Sequence, residues 1–299
     1  MAGGADPDAA DTDAAGAAAA AAAAEVEEAE RKLNWAFAGL PSGSEAPSEE
    51  SVKTAERAGF GSTNQFVYGE AAPGPVAPVL AGLGVQSEDV FYDLGSGRGR
   101  LVLGAALLPE SCKSAPSRAV GVELDTKRHV VAEKAAALLC PLVRQCTLLN
   151  EDVLTTPLDD ATFLFCNNAV FGQTLNGAIA STMSKAKAPA LRVATSTAPL
   201  PWAQASVAGL ALQRISVLPV NWSGSGHTLY RYGRERPKDG LVTVDEATTH
   251  MIDGMRRQAS GDNEMSNTSR DMAFMRIAAF IEQMNAEVKE WQEFYAKEV

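Results

Sequence analysis

The sequence has no apolar run near the roughly 18–20 residues that a membrane span requires. The Ala-rich stretch Ala14–Ala24 is too short and weakly apolar, acids flank it, and no basic segment precedes it, so neither an anchor nor a secretory signal is expected. Cysteine is scarce: Cys112, Cys140, Cys146 and Cys166 contain no Cys-x-x-Cys pair, and the three histidines are scattered. That spacing excludes the usual zinc frameworks and fits a reducing, intracellular setting. A dense basic block is also missing, so strong direct nucleic-acid binding is not expected. Hydrophobic residues nonetheless make up 46% of the 299, enough for a sizeable core.

The formal charge of −11 is concentrated at one end. Residues 1–50 hold 11 acids and 2 bases, a net of −9, which leaves −2 for residues 51–299. An acidic arm of this kind attracts a basic partner such as a histone. Residues 1–24, with 14 alanines, read as a disordered Ala/Asp-rich tail that cannot offset ordering entropy by burial. Residues 25–88 read as a helical N-terminal region: helices over Glu25–Leu40, Glu50–Ala58 and Pro75–Leu83, with a Pro/Ser/Gly/Glu linker at Pro41–Glu50 and a Gly-rich loop before Phe66.

From residue 89 the period changes. Short apolar strands are predicted at Val90–Leu94, Ala119–Glu123, Cys146–Leu149, Phe163–Cys166 and Leu191–Thr195. Helical runs alternate with them at Leu101–Leu108, Lys127–Leu142 and Gln173–Lys187. Alternation of this kind argues an α/β fold with a mostly parallel sheet and helices on both faces. Two later strands, Ala211–Val220 and Thr228–Tyr232, lie close in sequence and are expected to pair antiparallel at an edge. Residues 89–233 therefore form the main domain. Residues 234–299 follow as a linker and a C-terminal amphipathic helix. In that helix Phe274, Ile277, Ile281, Met284, Val288, Trp291 and Tyr295 step by three and four. The stripe suits either the chain's own domain or a helix partner or homodimer through 274–295.

The informative element is the strand–loop–helix at Asp93–Leu101. Gly95, Gly97 and Gly99 allow a sharp turn and close approach of a ligand, and the following helix aims its amides at that turn. The spacing is not the Gly-x-Gly-x-x-Gly of dinucleotide sites. Asp93 at the strand end would repel a pyrophosphate but can receive an amino group. The combination selects a cationic, phosphate-free ligand such as S-adenosylmethionine over NAD. Glu123 ends the next strand, where a carboxylate can take two ribose hydroxyls. Asp152, after the third strand, can meet an adenine amino group. Arg100, where the loop enters the helix, can pair with a ligand carboxylate.

With these residues in place the sequence resembles a known family. Tyr68-Gly69-Glu70, Asp93-Leu94-Gly95-Ser96-Gly97-Arg98-Gly99, Val122-Glu123, Asn150-Glu151-Asp152, Phe165-Cys166-Asn167-Asn168-Ala169-Val170-Phe171-Gly172 and Asn221-Trp222-Ser223-Gly224 occur in the order seen in the disruptor-of-telomeric-silencing family. These are histone-lysine methyltransferases without a SET domain. The resemblance covers about residues 50–233. It implies the seven-stranded class I methyltransferase fold, S-adenosylmethionine as methyl donor, a lysine of histone H3 in the nucleosome as acceptor, and a nuclear location. Matched by position, Tyr68 and Glu70 would belong to a loop over the methionine part of the cofactor, Glu123 would bind ribose, and Asp152 adenine. Asn167 and Phe171 would lie beside the methyl-transfer channel, and Trp222 falls in the family's Trp-[Ser/Thr]-Gly element.

The chain departs from the family at three places. Ala169 stands where an aromatic is usual, Ser225-Gly226 replace a basic residue and a proline, and the channel aromatic falls on Leu229 with Tyr230 one step later. The proposed catalytic set is therefore Asn167, Phe171 and Tyr230, with Phe165 as an alternative aromatic. An aromatic channel lowers the pKa of an incoming lysine by desolvation and favours a sulfonium cation. Asn167 can orient the amine or the cofactor. Two other readings accommodate the departures: a class I methyltransferase with a non-histone or small-molecule acceptor, and a non-catalytic adaptor working through the C-terminal stripe.

Overall fold

The computed structural model describes residues 7–60, 66, 75–143, 145–186, 191–201, 204–205, 209–220, 223–235, 242–244, 281–282, 285–286, 288–293 and 296–297. Its first element corrects an expectation. The Ala-rich tract is not a tail without structure: from Pro7 it belongs to helix α1 (Pro7–Phe37). Alanine loses the least on entering a helix, and after Pro7 no proline and a single glycine, Gly16, interrupt the run to Phe37. Among the described side chains of α1, those buried fall in its last turns: Ala29, Leu33, Ala36 and Phe37. Helix α2 (Glu49–Arg57) starts at Ser48, whose side chain accepts the Ser51 amide, and has Glu49 and Glu50 in its first turn, where the helix dipole favours acids. Helix α3 (Val76–Leu83) ends at Gly84, in the left-handed conformation (φ 84°) that stops helices cheaply at glycine.

Then come β1 (Val90–Leu94), α4 (Arg100–Leu107), β2 (Arg118–Val122), α5 (Thr126–Leu139), β3 (Cys146–Leu149), β4 (Phe163–Cys166), α6 (Gln173–Met183), β5 (Val193–Ser196), β6 (Ala211–Val220), β7 (Ser223–Gly233) and β8 (Thr243–Val244). The sheet order is β3-β2-β1-β4-β5-β7-β6-β8. Strands β1 to β5 are parallel to their neighbours within that set. β7 runs antiparallel to both β5 and β6, so the expected antiparallel pair forms. The first seven strands in this order make the class I methyltransferase sheet. The two-residue β8, parallel to β6, extends it by an eighth strand beyond the seven expected.

Side-chain alternation sends each strand's residues to two cores. One face carries Phe91, Phe163, Phe165 and Leu229 against α1, α3, α4 and α5. The other carries Tyr92, Leu164, Cys166, Tyr230 and Tyr232 against α6. The C-terminal stripe resolves toward the chain itself. Trp291 is buried in this second core and its ring lies 6.2 Å from that of Tyr232. Ile281 and Val288 pack beside it. Of the described stripe positions, Trp291 is therefore held within the domain, and Ile281 and Val288 are partly buried against the same core. Phe274, Ile277, Met284 and Tyr295 lie outside the described residues.

Candidate active site

The register sets out the site. Leu149, Val122, Leu94, Cys166 and Ser196 pair in one row across β3, β2, β1, β4 and β5, and Tyr230 of β7 continues the row opposite Ser196. The next residue on each parallel strand is Asn150, Glu123, Gly95, Asn167 or Thr197. Five polar or glycine positions therefore line the carboxyl edge, where α/β sheets bind ligands. Asp93 sits two residues inside this rim.

The loop after β1 folds back over it. Gly95, Gly97 and Gly99 all have positive φ (88°, 58° and 75°). At Gly95 a side chain would find nothing within 4 Å, so this backbone faces open space. At Gly99, the N-cap of α4, a Cβ would lie 3.0 Å from the Ala132 Cβ, so only glycine lets α4 and α5 approach this closely. The Gly95 and Ser96 amides both donate to Val122 O, at 2.9 and 3.0 Å.

Two buried carboxylates meet the loop. Glu123 accepts the Gly97 amide on Oε2 and the Asp125 amide on Oε1, each at 2.7 Å. Each oxygen keeps a second acceptor direction. Burial pushes the Glu123 pKa up, with the two amides and the nearby Arg128 cation pulling against it. Asp93 is also buried, and among the described residues none donates a hydrogen bond to its carboxylate. Burial, and after it the Glu123 charge, pushes the Asp93 pKa up to about 7. An acceptor without a donor, buried beside an open glycine backbone, is what a cationic ligand would complete. The donor set thus fits an adenosyl cation: Asp93 for an ammonium group, Glu123 for hydroxyls, Gly95 and Gly97 for close approach. Asp152 lies past the end of β3, half-buried, and accepts the Leu154 amide at 2.9 Å.

Arg100 is a correction. It is buried with α1, donating to Asn34 Oδ1 at 2.6 Å, 3.7 Å from Glu30 and over the Phe37 ring. As the first residue of α4 it emerges on the face that α1 covers, so it joins helix to helix instead of meeting a ligand carboxylate. Tyr68, Glu70 and Trp222 lie outside the described residues.

Beyond β4 the two asparagines divide their work. Asn168 is fully buried. Its Nδ2 donates to Asn176 Oδ1 and Ala198 O, and its Oδ1 accepts the Ala198 amide at 2.7 Å. It ties the end of β5 to α6. Asn167, half-buried at the rim, accepts from the Thr197 hydroxyl at 2.8 Å. Phe171 packs at the margin of the second core, the cluster that contains Tyr230. These two aromatics share the face opposite Asp93, whereas Phe165 is sealed in the first core. Residues missed in the sequence are Asn176, Thr197, Asp125 and Arg128. Only Asp125 had a local signal, as an N-cap that accepts the Arg128 amide at 3.0 Å.

No metal-binding cluster of His, Cys, Asp or Glu occurs among the described residues, and no described helix is long and apolar enough to cross a membrane. No curated relative matches the sequence. Among solved structures, magnesium protoporphyrin IX methyltransferase from Synechocystis with bound S-adenosylmethionine is 16% identical, covering 54% of this chain and 78% of that one, with a TM-score of 0.42. An RNA methyltransferase from Salinibacter ruber in complex with S-adenosyl-L-homocysteine is 23% identical over 56% of this chain and 97% of that one, with a TM-score of 0.35. A TehB-like methyltransferase from Corynebacterium glutamicum is 14% identical over 62% and 98%, with a TM-score of 0.38. The family model described as histone methylation protein DOT1 matches residues 50–202, just over half of the chain and the whole span from α2 to the end of β5. The chain therefore belongs to the DOT1 histone methylation family, whose members are S-adenosylmethionine-dependent methyltransferases.

Proposed function

We propose that this protein transfers the methyl group of S-adenosylmethionine to a lysine side chain of histone H3 within chromatin, and that it works in the nucleus. One observation carries the reading: a buried Asp93 carboxylate, with no donor among the described residues, stands beside the amide-held Glu123 and next to the open Gly95 backbone, in a chain of the DOT1 family.

When bound, S-adenosylmethionine supplies an electrophilic methyl on a sulfonium. The chain's part is to hold the cofactor and acceptor in line and to exclude water. Asp93 takes the cofactor's amino group, Glu123 its ribose hydroxyls and Asp152 its adenine. Neutralising a lysine of reference pKa about 10.4 at pH 7 costs on the order of 4–5 kcal/mol. Phe171 and Tyr230, in the apolar cluster of the second face, supply the low-dielectric surroundings that reduce this cost. Asn167 orients the incoming amine, its own carbonyl oxygen steadied by Thr197. The proton released from the amine passes to solvent.

Labelled methyl transfer to nucleosomes, free histones and a cell extract tests the reading. Label on H3 in nucleosomes is expected. Label on another protein or a small molecule only would support the second acceptor class, which Ala169 and Leu229 favour by replacing family aromatics. Against the adaptor reading stands the packing of Trp291, with Ile281 and Val288 partly buried beside it, on the chain's own core; absence of S-adenosylmethionine binding in calorimetry would favour it.

A further inference from the structure

Residues 41–48, ahead of α2, lie against the β2–α5 turn that carries Glu123, and cations from the two neighbouring turns grip their carbonyls. Arg98 donates to Pro41 O at 2.8 Å, and Lys127 to Ala46 O at 2.8 Å. Arg128 differs from both because it is buried. Its Nε donates to Gly43 O at 3.1 Å and its Nη2 to Phe66 O at 2.5 Å. It thus holds one carbonyl on each side of α2. Asp125, in the same turn, accepts the Ser48 amide at 2.6 Å and gives its own amide to Glu123. Residues 43–48, Phe66, the β2–α5 turn and the Glu123 carboxylate are thus one hydrogen-bonded unit.

Local helix rules do not account for Arg128. It stands in the first turn of α5, where the helix dipole disfavours a cation. Two carbonyls from separate segments converge on its fork, a geometry that a lysine, with a single point of charge, does not reproduce. We infer that Arg128 is a positioning residue for the methyl donor: it fastens Gly43 and Phe66 to the turn that sets the Glu123 carboxylate. This rests on the reading of the edge as the S-adenosylmethionine site.

The test measures S-adenosylmethionine binding by calorimetry, well below the melting temperature of every form, for wild type, R128M, R128K and D89N. Asp89 accepts bonds from Arg192, Thr162 and Gln86 at the far end of the sheet, so D89N controls for lost stability alone. R128M is expected to weaken binding roughly tenfold to a hundredfold, with R128K in between and D89N at the wild-type value. At saturating donor, R128M should turn over within about threefold of wild type, a KM effect without a matching kcat effect. Should R128M not fold, R128K decides by the same comparison. Wild-type affinity in R128M, or in R128K if that variant decides, overturns the inference alone, as does an equal loss in D89N. A wild-type chain that binds no S-adenosylmethionine overturns the site reading and this inference with it.

Discussion

Asp93 costs the empty protein stability, because its folded pKa is raised to about 7 from an unfolded value near 3.9. Between those values the folded chain holds a proton that the unfolded chain has released, so the Asp93 contribution falls as pH rises through 7. Asp93→Asn should therefore stabilise the cofactor-free protein by on the order of 2–4 kcal/mol at pH 8 and by almost nothing near pH 4. Urea unfolding at the two pH values checks this. The same substitution should remove a pH dependence of binding: wild-type affinity for S-adenosylmethionine is expected to rise from pH 6 to 8 as Asp93 ionises, while Asp93→Asn binds weakly at every pH. Gly97→Val should abolish binding, because φ there is 58° and its amide holds Glu123. Asn167→Ala should lower turnover more than cofactor affinity, and an unchanged rate would remove Asn167 from the chemistry.

The helices divide into parts that carry the fold and parts that do not. Among the described side chains of α1, burial begins at Ala29, so deleting residues 1–22 should leave the melting temperature almost unchanged. Leu33→Ala removes a fully buried side chain against α4, where a Gly104 Cβ would already crowd Leu33 at 3.0 Å. It should cost about 2–5 kcal/mol. Trp291→Ala should cost about 3–5 kcal/mol, read by denaturant unfolding, and should leave the mass in solution unchanged. A loss of mass without a loss of stability would restore the reading of this stripe as a dimer surface. The strands and most helices were legible in the sequence because apolar runs and their spacing are local signals. Helix α1 was misread because low complexity suggested disorder, while the high helix propensity of alanine acts in the opposite direction.

Over the whole molecule, ligand binding and stability are linked. S-adenosylmethionine at a hundred times its dissociation constant should raise the unfolding free energy by about 2.7 kcal/mol. The same addition to Gly97→Val should raise nothing. The sequence by itself determined the first seven strands and the family resemblance, and it placed Asp93, Glu123 and the glycines at strand ends, because those ends are written in the local pattern. Only the tertiary structure decided where long side chains go. Arg100 turns to α1 instead of the ligand, Asn168 braces β5 against α6, Trp291 closes the chain's own second core, and Arg128 gathers carbonyls from both sides of α2. Each of these depends on partners far away in the chain, and a long polar or aromatic side chain takes its direction from whichever distant group the fold brings within reach.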